Sequence, residues 1–210
     1  MKALTACSLY TFVDTAYLRG RDPVEVAREL CAGGSDIVQF RAKDLPAKQI
    51  AAIAAKILEV TNDAGIPLVI NDHPEIARDI SAPLAHLGQE DFFDAAVRRV
   101  LGQAIGLSTH APAQAERAIA AGAAYIAAGP VYATPTKPRA KPVTLDYARW
   151  AAANVHIPWF AIGGINLQNL DDVLAAGATR ICVVSAILNA PNIREACQTF
   201  KQHLSSAARK

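Results

Sequence analysis

The chain has 210 residues, 52% of them hydrophobic and 19% charged, and its 21 Lys and Arg against 19 Asp and Glu leave a net charge of +2. That length suits one domain, and the apolar share builds a large core and excludes a disordered chain. The near-balance of charge argues against a polybasic nucleic-acid or membrane-surface protein, and no apolar run approaches the roughly 20 residues that cross a bilayer.

Met1 to Tyr10 carries one lysine and no long apolar core, so no secretory signal is read there. Cys7, Cys31, Cys182 and Cys197 lie far apart without CxxC or Cys/His ligand spacing. They are expected to be reduced structural thiols of a cytoplasmic protein.

In chain order, a first apolar run, Ser8–Val13, precedes a helical pattern at Pro23–Cys31. The run Ile37–Phe40 leads to Pro46–Ala64, Pro67–Ile70 to Pro74–Ile80, and Leu84–Leu87 to Asp91–Leu101. Ala104–Leu107 leads to Pro112–Ala121, Tyr125–Ala128 to Leu145–Ala153, Pro158–Ile162 to Leu167–Ala176, and Ile181–Val184 to Asn192–Ser206. Each run has the length of a strand buried on both faces. Pro23, Pro46, Pro74 and Pro112 stand where helices begin, and Gly33, Gly65, Gly122 and Gly177 where they end. Eight repeats of about 25 residues predict a single-domain (β/α)8 TIM barrel over residues 1–210. A doubly wound open sheet is the alternative.

In such barrels the chemistry sits at the C-terminal strand ends, where the loops converge. Polar residues recur at that end. Strand two ends in Gln39-Phe40-Arg41-Ala42-Lys43, whose alternation sends Gln39, Arg41 and Lys43 the same way. Strand three ends in Asn71-Asp72, strand four leads to Gly88-Gln89-Glu90-Asp91, and strand five to Ser108-Thr109-His110. Thr134-Pro135-Thr136-Lys137 follows strand six, Gly163-Gly164 strand seven and Ser185 strand eight. Taken singly, each has a plainer meaning. The basic residues are solvated loop charges, Asn71-Asp72 a turn, Asp91 a helix N-cap, and Gly163-Gly164 a tight turn. Their common direction favours a site.

Arg41, Lys43 and Lys137 bring positive charge from two loops, as a polyanion needs. Asp72 and Asp91, from adjacent loops, suit one shared hard cation, expected to be Mg²⁺ beside phosphate oxygens. Gly163-Gly164 and Val184-Ser185 stand where barrels of this kind offer backbone N–H groups to a phosphate monoester. Two anion sites with a metal between them suggest two phosphorylated substrates, one a diphosphate.

These motifs, together with His86-Leu87-Gly88, Gly106-Leu107, Gly129-Pro130-Val131, Ala161-Ile162 and Ala186-Ile187, resemble the thiamine-phosphate synthases from Leu9 to Leu188. The resemblance implies a transferase that joins 4-amino-5-hydroxymethyl-2-methylpyrimidine diphosphate to a carboxythiazole or hydroxyethylthiazole phosphate. Its products are thiamine phosphate and diphosphate, with carbon dioxide from the carboxythiazole. The substrate-binding set it implies comprises Gln39, Phe40, Arg41, Ala42, Lys43, Asn71, Ser108, Thr134, Pro135, Thr136, Lys137, Gly163, Gly164, Val184 and Ser185. Within it, Gln39, Arg41, Lys43, Asn71, Ser108 and Lys137 hold the pyrimidine diphosphate. Thr134, Thr136, the glycine pair, Val184 and Ser185 hold the thiazole phosphate. Arg41, Lys43, Ser108 and Lys137 are the implied catalytic residues, and Asp72 and Asp91 the Mg²⁺ ligands.

A dissociative step is expected, with no protein nucleophile, and His73, His110 and His156 read as surface or supporting residues. The segment Ala133–Val143 reads as a lid. The sequence departs from the family pattern at His73 and at Ala123-Ala124. Two rivals remain: a thiazole tautomerase-like barrel, which couples no diphosphate substrate, and a non-catalytic barrel that binds a phosphorylated ligand. Outer apolar faces near Trp150 and Trp159 permit a homodimer.

Overall fold

The computed structural model describes residues 2–93, 104–136 and 140–207. The apolar runs form eight parallel strands: β1 (Leu9–Asp14), β2 (Ile37–Arg41), β3 (Leu68–Asn71), β4 (Leu84–Leu87), β5 (Ala104–Thr109), β6 (Tyr125–Ala128), β7 (Trp159–Ile162) and β8 (Ile181–Val183). Each pairs with the next and β8 returns to β1, closing the barrel. The open-sheet alternative is thereby excluded, because closure leaves no strand edge. Around the strands run α1 (Pro23–Ala32), α2 (Ala47–Asp63), α3 (Pro74–Asp79), α4 (Gln89–Phe92), α5 (Pro112–Ala120), α6 (Thr144–Asn154), α7 (Leu170–Ala175), α8 (Ser185–Leu188) and α9 (Ile193–Ala207).

Local chemistry sets the helix starts. Pro23, Pro74 and Pro112 occupy first-turn positions, where a missing N–H costs nothing. Asp22 accepts hydrogen bonds from Val24 and Glu25 N–H at 2.7 and 3.1 Å and caps α1. The helix expected over Asp91–Leu101 begins earlier, at Gln89, and its part beyond Phe93 lies outside the described residues.

Two apolar layers result. Leu30, Ile57, Ile126, Leu188 and Phe200 are buried between strands and helices, each side chain contributing about 2 kcal/mol of transfer free energy. Tyr10, Phe12, Val69, Tyr125 and Phe160 fill the barrel interior. Gly106 lies opposite Tyr125 in the β5–β6 register. A Cβ there would stand 1.9 Å from the Tyr125 ring, so only glycine admits that phenol to the interior. Trp159 is buried in β7 and Trp150 stacks on Tyr147, with ring centroids 5.8 Å apart. Leu167 is the one large apolar side chain left exposed among the described residues, and no described helix is long and apolar enough to cross a membrane.

Candidate active site

The strand ends open into one mouth with two adjoining lobes. Gln39, Arg41, Asn71, His86 and Ser108 line the first, of about 440 Å³, above Tyr10 and Phe12. The second, of about 560 Å³, is lined by Ser108, His110, Thr134, Thr136, Gly163, Gly164, Val184 and Ser185. Ser108, Thr136 and Val184 belong to both, so the lobes are continuous.

On the first side, the alternation along β2 sends Gln39 and Arg41 inward. The side chains of Phe40 and Ala42 pack instead in the layer between strands and helices, so any contact they make with a ligand in the lobes comes from their backbone. Arg41 Nη1 donates to Asp14 Oδ2 at 2.8 Å, and Asp14 is fully buried at the end of β1. A buried carboxylate thus fixes the guanidinium without removing it from the cavity it lines.

Lys43 and both acidic residues stand at the rim rather than in the lobes. Lys43 Nζ lies 3.2 Å from Asp72 Oδ2. The Asp72 N–H donates to His86 C=O at 2.9 Å, which ties the β3 loop to β4. Asp72 has a left-handed φ of +64°, a conformation Asp tolerates better than most residues. His73 occupies the N-cap of α3 without a side-chain capping bond, so Asp72 is not consumed as a helix cap. Asp91 lies inside α4, whose N-cap is Gly88, and its carboxylate folds back so that a Cβ on Gly88 would meet Oδ2 at 3.0 Å. Neither aspartate therefore stands at a helix N-cap, and the plainer reading of Asp91 falls.

No group of three or more His, Cys, Asp or Glu able to hold a metal occurs among the described residues. Two carboxylates from adjacent strand ends remain. This donor set fits Mg²⁺, which takes one or two carboxylates and completes its shell with water and phosphate oxygens.

The second lobe owes its shape to glycines. Gly163 and Gly164 have φ of +101° and +66°. A Cβ on Gly163 would meet Pro130 at 2.3 Å, and one on Gly164 would meet the Ala133 carbonyl oxygen at 2.6 Å. Val131 and Tyr132 N–H donate to the Ile162 and Gly163 carbonyls at 2.8 and 3.0 Å, fastening the loop after β6 onto the end of β7. The short α8 starts at Ser185, directly after β8; the Val184 carbonyl takes the Ile187 and Leu188 N–H groups, and the Ser185 and Ala186 N–H groups precede the first intrahelical acceptor. Thr134 and Thr136 close the side, and Thr136 Oγ1 lies 2.9 Å from Tyr17 Oη. Pro135 lines an outer groove with Asn166 and Asn189 that adjoins the lobe through Gly164 and Ser185. Lys137, within the segment read as a lid, lies outside the described residues.

Several residues take places in the mouth that the sequence reading did not give them. His110 lines the second lobe and its Nδ1 contacts the Gly129 carbonyl. Asp14 anchors Arg41. Beneath Ser108 runs a buried polar chain. Gln39 Nε2 donates to Tyr10 Oη at 2.5 Å, Tyr10 Oη lies 2.8 Å from Tyr125 Oη, and Tyr125 Oη lies 3.0 Å from His86 Nδ1. His86 Nε2 then lies 2.9 Å from Ser108 Oγ. Burial first, and then the neighbouring Tyr125, push the Tyr10 hydroxyl well above its ordinary range; burial likewise raises Tyr125. Both phenols stay protonated. The available clue was Gly106 set against Tyr125, legible only once the β5–β6 register is known. The cysteines are all free; burial pushes Cys31 up to about 11 and Cys197, with Asp36 nearby, up to about 12.

Comparison with known proteins agrees with this geometry. Residues 9–187 match the family described as thiamine monophosphate synthase. A thiamine-phosphate synthase of Thermus thermophilus is 46% identical over 178 residues, covering 84% of this chain and 86% of the relative. That of Acidothermus cellulolyticus is 42% identical over 213 residues, covering 99% and 100%. Among solved structures, the thiamine phosphate pyrophosphorylase from Pyrococcus furiosus superposes with a TM-score of 0.88 at 28% identity, covering 98% of this chain and 99% of that one. With the barrel, the two lobes and these matches together, the chain belongs to the thiamine monophosphate synthase family of transferases.

Proposed function

We propose that the mouth joins a pyrimidine diphosphate, seated in the first lobe, to a thiazole phosphate seated in the second, releasing diphosphate and thiamine phosphate. The observation that carries this reading is the continuity of the lobes through Ser108, Thr136 and Val184, which would set two substrates against each other. Such positioning alone supplies a large share of the rate in a two-substrate reaction.

The bond that breaks joins the pyrimidine's exocyclic carbon to the diphosphate oxygen, and its electron pair leaves with the diphosphate. The amino-pyrimidine spreads the resulting positive charge. The thiazole nitrogen then supplies the lone pair for the new carbon–nitrogen bond. No protein nucleophile enters. Arg41, fixed on Asp14, Lys43 at the rim, and Lys137, which the family resemblance adds, meet the departing negative charge. Asp72 and Asp91 would hold Mg²⁺, which when bound supplies further positive charge to the diphosphate oxygens. Gly163, Gly164, Val184 and Ser185 present backbone to the thiazole phosphate, with Thr134 and Thr136 beside it. We place the enzyme in the cytoplasm, in keeping with four unpaired thiols.

Titration calorimetry separates this reading from its rivals. Both substrates should bind, the pyrimidine diphosphate only with Mg²⁺, and Arg41→Ala should weaken that ligand while sparing the thiazole phosphate. A chain that binds thiazole phosphate alone is a tautomerase-like barrel, and one that binds both ligands without turnover is a non-catalytic carrier.

A further inference from the structure

The buried chain Gln39–Tyr10–Tyr125–His86–Ser108 has a direction, and that direction decides what Ser108 offers a ligand. Each phenol has one hydrogen and, among the polar contacts described, two neighbours in the chain. Gln39 Nε2 donates to Tyr10 Oη, so the Tyr10 hydrogen goes onward to Tyr125. Tyr125 must then donate to His86 Nδ1, which leaves the imidazole hydrogen on Nε2 to be donated to Ser108 Oγ. Ser108, already accepting, turns its own hydrogen toward the cavity it lines. Among the contacts described, the reverse direction is the only other self-consistent state. It requires an acceptor at Gln39, puts the imidazole hydrogen on Nδ1, and ties up the Ser108 hydrogen on His86.

We propose that Tyr10, Tyr125 and His86 are positioning residues that relay the orientation of the Gln39 amide across the barrel interior and thereby hold Ser108 as a hydrogen-bond donor toward the diphosphate-bearing substrate. They act through Ser108, whose O–H serves an anionic oxygen, where a lone pair would repel it. The ordering is concerted because Gln39, Tyr10, Tyr125 and His86 are all buried, and none can turn to water without leaving a partner unsatisfied. The consequence for substrate rests on the two-lobe transferase reading; the direction of the chain does not.

The direction is read by ¹⁵N NMR of histidine-labelled protein without substrate, which keeps this test separate from turnover. His86 should be a neutral imidazole with hydrogen on Nε2 and a bare Nδ1. Gln39→Glu, nearly isosteric, replaces the donor with an acceptor. Recorded at a pH where the introduced carboxyl carbon reads ionised, it should move the His86 hydrogen to Nδ1, and adding Tyr10→Phe should abolish that response. A wild-type Nδ1–H tautomer or imidazolium overturns the proposal, as does an unchanged tautomer in Gln39→Glu.

Kinetics give a second readout. Tyr125→Phe keeps the ring and cuts the relay, so KM for the pyrimidine diphosphate should rise about tenfold while that for the thiazole phosphate moves less than about twofold, the size expected for one hydrogen bond to a charged group. Equal changes in both constants would mean a general loss of structure and would overturn the assignment.

Discussion

Arg41 Nη1 sits 2.8 Å from Asp14 Oδ2, joining two adjacent strand ends so that a buried negative charge presents a positive one to the cavity. Neither charge is stable in that place without the other. Asp14 is fully buried and Arg41 keeps only 14% of its side-chain surface exposed.

Asp14→Asn isolates this relationship, because the amide oxygen can still accept from the Ala16 N–H, now 3.1 Å away. The variant should lose about 3 kcal/mol of stability, the cost of leaving one member of a buried ion pair alone. Denaturant unfolding measures that loss. Turnover at saturating thiazole phosphate should fall by about tenfold or more, since the guanidinium is no longer held on the leaving group. Normal stability would show that the pair contributes nothing.

Gly163 tests the second lobe. Gly163→Ala forces a Cβ to within 2.3 Å of Pro130 on a backbone with φ of +101°. Strain and overpacking together should cost about 2 kcal/mol or more, and thiazole phosphate affinity should drop at least about tenfold. Gly65→Ala is the control. It also has a positive φ, +68°, but faces open space at the far end of the barrel. It should cost about 1 kcal/mol and leave turnover unchanged. Equal effects at both positions would show that backbone strain alone, with no site, explains Gly163.

Stability should depend on acid pH through Asp36. Burial alone would raise this carboxyl, but Lys2, Lys201 and the Leu9 and Ser8 N–H groups outweigh burial and hold it at about 2, against an ordinary 3.8. The folded-state value is depressed, so the stabilisation is complete above about pH 4 and is lost as pH falls toward 2. Its size is about 2 kcal/mol. Urea midpoints taken from about pH 5 down to about pH 2.5 should fall, and Asp36→Asn should lower the midpoint at pH 5 and flatten the slope. A slope unaltered in the variant would assign acid sensitivity to other carboxylates.

Much of this protein was legible in its sequence because a parallel barrel writes itself in local terms. Strands buried on both faces read as short apolar runs, and Pro23, Pro74 and Pro112 mark helix starts whatever lies around them. The inward set Gln39 and Arg41 followed from strand alternation, and the glycine pair from its place after β7. Phe40 and Ala42 entered the binding set with their contiguous motif, although the same alternation turns their side chains into the layer behind the strands. Asp14, Tyr10, Tyr125 and His86 escaped notice for another reason. Their roles exist only through partners 22 to 115 residues away, and nothing local marks a buried tyrosine as a relay rather than as core.

The most direct test of the two-lobe account is to mix both substrates with enzyme and Mg²⁺ and quantify diphosphate and thiamine phosphate together. The account predicts that they appear in equal amounts, that chelation of the metal stops both, and that Asp72→Asn and Asp91→Asn each slow both by about a hundredfold. Full turnover in excess chelator, or diphosphate released without a matching amount of thiamine phosphate, would contradict it.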